Sequence, residues 1–303
     1  MTTETQNAHR TTEDRLLLWN AEGKHLAKPG SIDELLSQAN LDWDVELTNL
    51  YTQNSATDDF QEVANKRAIR RTDTNHVLGV CGPRYTPCGN REILEFLDKV
   101  QDTGEALYEA GWSSRGGAVV GVTMRLAEEV QIAGFDSHEI YLLATTRHDG
   151  GGAIRIDATP VRLSCTNMVT IAQKSAQRTH RIVHSGSISS KIANAREALN
   201  LTYHYTEAWS NEVEKLIETS MSEEKIMHIA KNLYSEKTAE AVLTHWGTSP
   251  TIADFRNTAY GALNAITEWN QWARPRRVKK TVETMLYGGI HRDDQRAFDL
   301  ITA

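Results

Sequence analysis

The stretch TTRHDGGGAIRIDATPVRLSCTNMVTIAQKSA, residues 145–176, contains the succession of strand, turn and helix patterns on which the fold prediction depends. Two runs rich in β-branched residues flank Asp149–Gly152, and a helical pattern follows the second run. Asp followed by glycines is turn chemistry, because glycine accepts a positive φ and Asp can bond to the following backbone. The glycines also permit a backbone or ligand to approach closely. We therefore expect a β-hairpin followed by a helix, with Thr166 or Asn167 as its N-cap.

The same succession of strands and a helix is predicted twice along the first two-thirds of the chain. Each unit has three strands joined by hairpin-length connections and then one helix, which indicates an α+β fold: an antiparallel sheet of two β-β-β-α units with helices on one face. The longest connection in the first unit is a loop over 53–65, and Asn90 is the expected N-cap of the first helix. The predicted elements are strands over 43–52, 66–73 and 76–82 with a helix over 90–100, then strands over 116–127, 139–149 and 153–164 with a helix over 167–176.

The remainder of the chain divides into a polar beginning and a helical end. Residues 1–30 are predicted to be a flexible polar arm, 31–188 an α+β core domain, and 189–303 a helical region of at least four helices packed on that core. A short helix over 32–38 has Ser31 or Asp33 as its expected cap, and Ser222 precedes another helix. Gly288 and Gly289 are expected to close a helix.

Composition narrows the protein class. An apolar content of 40% and a charged content of 24% are typical of a globular protein, and the formal net charge of −7 argues against a generally basic nucleic-acid binder. No apolar run reaches the length of a membrane span, the first residues lack a signal-peptide pattern, and three irregularly spaced cysteines do not suggest a disulfide framework. We expect a cytoplasmic protein.

Motifs for catalysis and metal binding are weak. A nucleophilic site of Cys165 and His148, oriented by Asn167 or Asp149, is conceivable but requires contacts that sequence proximity does not provide. A zinc site could draw on His76, Cys81, Cys88 and Cys165, although their spacing is unlike that of usual zinc ligands. We therefore assign no catalytic residue, no metal site and no cofactor, and leave enzymatic activity uncertain.

Basic residues nevertheless form local clusters that are suited to phosphate binding, because local potential rather than net charge attracts a ligand. The alternative is that each cluster is an ordinary solvated face. Trp269 and Trp272 precede a further basic run and either stack on bases or anchor a helix in the core. The candidate nucleic-acid contacts are Lys66, Arg67, Arg70, Arg71, Arg178, Arg181, Arg277 and Lys280.

Three blocks resemble the phage/plasmid-like protein family, the domain of unknown function numbered 932. They are LGVCGPRYTPCGNREILEFLD (78–98), RHDGGGAIRIDATPVRLSCTNMV (147–169) and RIVHSGSISSKIANAREAL (181–199). RRTD at 70–73 and two C-terminal segments, GALNAITEW and AFDLI, extend the resemblance over about residues 40–303. Ser185 and Gly151–Gly152 depart from the usual pattern of the blocks.

The resemblance implies a phage, prophage or plasmid origin and supplies no biochemical activity. Its β-β-β-α arrangement is similar to that of single-strand-annealing recombination proteins, which hold DNA by its backbone in a groove of an oligomeric ring. We therefore expect a non-enzymatic protein that binds or anneals single-stranded DNA as a homo-oligomer, with no membrane association. The alternative is a regulatory protein that binds a host protein instead of nucleic acid.

Overall fold

The described strands of the protein form two antiparallel sheets. The computed structural model describes residues 24–25, 31–102, 106–132, 136–162, 179–188, 210–274 and 288–303. Within these ranges, one sheet has the order β1-β5-β6-β7-β8-β9 and the other the order β2-β3-β4. The strands are β1 (Lys24–His25), β2 (Val45–Gln53), β3 (Phe60–Arg71), β4 (Val77–Cys81), β5 (Ala106–Ser114), β6 (Val119–Ile132), β7 (Asp136–Arg147), β8 (Ile154–Arg162) and β9 (Thr179–Ile182).

The α+β class and the antiparallel pairing are confirmed, but the strands do not join into one sheet. The first predicted unit forms the three-stranded sheet of β2, β3 and β4, which we call the small sheet. The second lies within the six-stranded sheet, which we call the large sheet. Strand β5 was not predicted, because its sequence ALYEAGWSS has few β-branched residues. Part of the predicted arm is also paired, since Lys24 lies opposite Gly111 of β5.

The described helices confirm most of the helical predictions. They are α1 (Ile32–Gln38), α2 (Asn90–Asp102), α3 (210–218), α4 (Glu223–Leu233), α5 (Glu236–Thr248), α6 (Ala259–Glu268) and α7 (Gly289–Thr302). Ser31 and Ser222 cap α1 and α4, accepting hydrogen bonds from Glu34 N at 3.3 Å and Lys225 N at 3.4 Å. Gly288 and Gly289 stand at the start of α7, while the helix that they were expected to close, before Gly288, lies outside the described residues. The helix expected over 167–176 lies outside the described residues, and the domain boundary at 188 stays a prediction.

Helices α1 and α2 cover one face of the large sheet. Ile93 and Leu94 of α2 line a narrow gap together with Val120, Val122 and Ala144 of the sheet. All five side chains are buried. Because burying a large aliphatic side chain contributes about 1.5–3 kcal/mol, this layer is a major source of stability.

The helical region has its own buried centre in α6. All ten residues of α6 are buried, and Trp269 directly after it is 5% exposed. The interpretation of Trp269 as a core anchor is therefore confirmed, whereas the side chain of Trp272 is outside the described part. The Oε2 atom of Glu268 accepts hydrogen bonds from Ser249 and Thr251 at 2.8 Å each. None of the described helices combines the length and the apolar character needed to cross a membrane.

Candidate nucleic-acid interface

The glycine turn between β7 and β8 fastens the small sheet to the large one. A Cβ atom on Gly79 of β4 would lie 2.2 Å from the carbonyl oxygen of Asp149, so the two backbones meet directly. Gly150 has a φ of 76°, and Asp149 Oδ1 accepts a hydrogen bond from Gly151 N at 2.8 Å. The predicted hairpin turn is confirmed, and the close approach that its glycines permit is used by a strand.

Arg71 makes a second connection between the sheets. Its guanidinium donates to both carboxylate oxygens of Asp73, at 2.9 and 2.6 Å, and to the carbonyl oxygen of Gly116 at 3.0 Å. The same group lies 4.0 Å from the ring centroid of Trp43, a cation–π distance. Arg71 lowers the pKa of Asp73 by hydrogen bonding. A phosphate would have to displace these partners, so Arg71 positions the small sheet.

We call the region where Gly79 meets Asp149 and Arg71 meets Gly116 the joint. A buried polar cluster lies behind the joint, and Asn90 is at its centre. Asn90 was expected to cap α2; instead its amide nitrogen donates to the carbonyl oxygens of Leu41 and Trp43, at 2.9 and 3.1 Å. The amide oxygen therefore faces His148 Nε2, 2.9 Å away. His184 also belongs to the cluster, with its Nδ1 3.3 Å from the Thr86 carbonyl oxygen. Asn90 thus links three separate parts of the chain.

The cluster lacks the features of a nucleophilic or metal site among the described residues. His148 is 0% exposed and bonds to Asn90 rather than to a thiol, while Cys165 and Asn167 lie outside the described ranges. Burial raises the pKa of the Cys81 and Cys88 thiols, which keeps them protonated and poorly nucleophilic. In the described part of the chain, no group of three or more His, Cys, Asp or Glu side chains could hold a metal ion.

Beyond the joint, β2 and β3 continue as a long exposed hairpin. The loop at its end is Asn54–Asp59, shorter than the predicted 53–65, because Phe60 to Asn65 pair or bulge within β3. Asn54 Oδ1 accepts a hydrogen bond from Ala56 N at 3.0 Å, which explains why the polar residues of 54–59 form the turn. The register shifts between Asn49 and Tyr51, where β3 carries a bulge.

One face of this hairpin combines aromatic and charged side chains. Directly paired residues share a face, as do residues two apart on one strand. Arg67 lies opposite Asn49, Glu62 opposite Tyr51, and Phe60 opposite Gln53. We call this surface the hairpin strip and define it as Asn49, Tyr51, Phe60, Glu62 and Arg67.

The aromatic members of the strip are unusually exposed. Phe60 is 70% exposed and Tyr51 is 52% exposed. Both were missed as candidate site residues, because Tyr51 fitted an ordinary strand pattern and Phe60 fell in the predicted loop. The sequence signal that could have identified them as exposed is their position in a polar segment, where few apolar neighbours could cover their rings.

Five of the eight predicted basic residues are described, and their environments differ. Arg70 forms an ion pair with its cross-strand neighbour Glu46, and Arg71 belongs to the joint. Lys66 and Arg67 are exposed and form no ion pair with any residue in the described ranges. Arg181 is exposed on β9, in the other sheet, opposite Arg155. Arg178, Arg277 and Lys280 lie outside the described residues.

The charge of the hairpin is mixed rather than uniformly basic. Arg67 lies at the joint side of the bulge and Lys66 within it, whereas the exposed Glu62 lies on the loop side and Asp58 and Asp59 lie in the loop. An anionic ligand would therefore be attracted to one half of the strip and repelled by the other.

Comparison with known proteins gives one finding. A family model described as "Domain of unknown function (DUF932)" matches residues 77–288. This region includes β4, the buried polar cluster and most of the helical region, but not β2 and β3. No curated protein and no solved structure matches the chain.

Proposed function

The chain belongs to the family of the domain of unknown function DUF932, and from the hairpin strip we propose that it binds single-stranded DNA without catalysing a reaction. The family description carries no activity, so the proposal depends on the geometry of the strip. It includes self-association, the annealing of complementary strands, and a phage or plasmid origin.

The observation that carries the proposal is the placement of Tyr51, Phe60 and Arg67 on one exposed face. Proteins bind single strands by stacking bases on aromatic rings while cations contact the backbone. The strip extends over four residue steps of β2, about 14 Å, which is on the order of four nucleotides at duplex spacing. It is therefore long enough to contact several bases.

The unpaired cation of the strip makes a definite prediction about salt. For single strands, each neutralised phosphate contributes about −0.7 to the slope of log K against log salt. A backbone contact from Arg67 therefore predicts a slope of about −0.7. The Arg67→Gln variant should reduce the slope to about zero. Tyr51→Ala should instead weaken binding by about 1–3 kcal/mol and leave the slope unchanged, because stacking releases no counterion.

The test is fluorescence anisotropy of a labelled oligothymidine across a salt series. Lys237→Gln is the matched control, since Lys237 is an exposed cation on α5, far along the chain from the hairpin. Its slope should equal that of the unsubstituted protein. No binding at low salt, or an equal effect of Arg67→Gln and Lys237→Gln, would remove the strip from the proposal.

The alternative partner is a host protein. It would be indicated by a protein that co-purifies from cell extract without nucleic acid, together with an absence of oligothymidine binding. Charges of both signs on the hairpin are compatible with such a partner, but the exposed aromatic pair favours DNA as the ligand to test first.

A further inference from the structure

The hairpin strip carries an acidic residue where an anionic ligand would lie. Glu62 is exposed, lies directly opposite Tyr51, and forms no ion pair with any residue in the ranges that the structure describes. A carboxylate repels the phosphates of a nucleic acid, so at this position it weakens contacts to the backbone. Its two oxygens accept hydrogen bonds, however, and the edges of unpaired bases carry N–H donors. The carboxylate therefore suits a base rather than a phosphate.

Glu62 belongs to a group of four residues with two aromatic members. Phe60 pairs with Gln53, and Glu62 pairs with Tyr51. We call these four residues the ring block. Tyr51 and Phe60 are diagonal neighbours within it, and the Cβ atoms of diagonal neighbours lie about 7 Å apart. Two stacking steps of about 3.4 Å cover the same distance, so one base fits between the two rings.

The two rings are open to such a base. Phe60 is 70% exposed and Tyr51 is 52% exposed, and no ring contact joins them. The Tyr51 hydroxyl oxygen accepts a hydrogen bond from Asn49 Nδ2 at 3.4 Å, which directs the ring toward Asn49 and away from Phe60. Glu62 adjoins both rings, because it lies opposite Tyr51 and two residues from Phe60. A base between the rings therefore presents one edge to the Glu62 carboxylate.

The four DNA bases differ in what they offer to this carboxylate. Guanine has two adjacent donors, N1–H and the amino group on C2, which match the two oxygens of a carboxylate. Cytosine and adenine offer one amino group beside an acceptor nitrogen, and thymine offers one N–H group between two carbonyl oxygens. Repulsion between these acceptors and the carboxylate of Glu62 opposes the single hydrogen bond. Guanine is therefore the base that the ring block accommodates best.

We propose that the hairpin strip prefers single strands that contain guanine, with one guanine stacked between Tyr51 and Phe60 and paired with the Glu62 carboxylate. This inference rests on the proposed function, because it assigns the base preference of the same site. Arg67 lies on the joint side of the ring block and meets the phosphate backbone. The rings and Arg67 thus provide affinity, whereas Glu62 determines specificity.

The preference is tested by fluorescence anisotropy with three labelled oligonucleotides of equal length. One is oligothymidine, and in the other two every third thymidine is replaced by deoxyguanosine or by deoxyadenosine. Adenine matches guanine in ring size, so comparing the two separates hydrogen bonding from stacking area. A well-placed bidentate pair discriminates between bases by about fivefold or more. The guanine oligonucleotide should therefore bind at least about fivefold more tightly than either of the others.

The Glu62→Gln variant identifies the residue responsible. Glutamine keeps the size of the side chain but has one acceptor oxygen, so the preference for guanine over adenine should fall below about twofold. The same variant should bind oligothymidine more tightly, because a negative charge has been removed. Asp59→Asn is the matched control, since it removes an exposed carboxylate from the loop beside the strip. It should tighten the binding of all three oligonucleotides alike.

The possible results distinguish this inference from the proposed function. Equal binding of the guanine and adenine oligonucleotides by the unsubstituted protein would overturn the base preference and leave DNA binding intact. A guanine preference that persists in Glu62→Gln, or that Asp59→Asn abolishes equally, would also overturn it. Binding of none of the three oligonucleotides would refute the proposed function and the preference together. Both substituted side chains are exposed, so unchanged thermal unfolding should show that each variant is folded.

Discussion

Acidification should destabilise the protein through His148, and the buried cluster explains why. Because the Asn90 amide nitrogen donates to two carbonyl oxygens, its oxygen accepts the proton of His148 Nε2. The Nδ1 atom therefore holds a lone pair, and it is buried without a hydrogen-bond partner. A proton placed there would create a buried charge with no acceptor, which is strongly unfavourable.

The pKa of His148 gives the size of the effect. Burial lowers it from 6.5 to about 3, with a smaller lowering from His184 and Arg71 and an opposing influence of Asp149. Between these two values the unfolded chain binds a proton that the folded chain does not bind, so the free energy of unfolding falls as pH falls. The loss reaches about 5 kcal/mol when both states are protonated, and about 2 kcal/mol of it should occur by pH 5.

The assay is urea unfolding at pH values of about 7.5 and 5, a range chosen because the carboxylates in the fold titrate mainly below it. The unsubstituted protein should lose about 2 kcal/mol through His148, in addition to a contribution from His184, whose pKa burial also lowers. A His148→Gln variant should be less stable at the higher pH but lose about 2 kcal/mol less between the two conditions. Equal losses in the two proteins would refute the assignment of the buried lone pair.

Two further substitutions test the packing of the sheets and of the helical region. Gly79→Ala should destabilise the protein by at least about 2 kcal/mol in urea unfolding, since its Cβ would overlap the Asp149 carbonyl. Gly82→Ala is the matched control with nothing within 4 Å, and equal destabilisation by both would contradict the close approach. Glu268→Ala should lower the free energy of unfolding by at least about 2 kcal/mol, because two hydroxyl donors and the imidazole of His245 would lose their acceptor. The exposed Glu240→Ala should change it by less than about 0.5 kcal/mol, and a similar loss there would count against the Glu268 network.

Local sequence patterns predicted most of the strands and helices, but they failed where contacts with distant residues determine the structure. Alternating β-branched residues identify β2 and β4, whereas β5 gains its strand conformation from pairing with β6. The sequence around Asn90 fits an N-cap equally well whether its side chain bonds locally or reaches two distant carbonyl groups. Local sequence patterns also do not show that the strands belong to two sheets, because the hairpins of both sheets contain the same types of turn residue.

The basic clusters show a similar limit for the candidate site. In the sequence, Arg67, Arg70 and Arg71 are equally good candidates for phosphate contacts. In the structure, Arg67 lies on the open hairpin strip, Arg70 pairs with a cross-strand carboxylate, and Arg71 belongs to the joint between the sheets. The difference follows from strand register, because an offset of one residue moves each side chain to the other face of the sheet. Register depends in turn on the bulge opposite Leu50, whose one local signal is Asn65, a residue type that tolerates the positive φ of 59° found there.

The family match includes part of the joint but none of the hairpin strip on which the proposed function depends. The three resembling blocks bring Asn90, His148 and His184 into the region of the joint, where their hydrogen bonds hold different chain segments together. The match begins at Val77, after the hairpin strip has ended. The match therefore includes Gly79 and Asp149, which meet where the two sheets touch, but it adds no weight to DNA binding. That function must be judged on the strip alone, because the strip is formed by residues that precede the match.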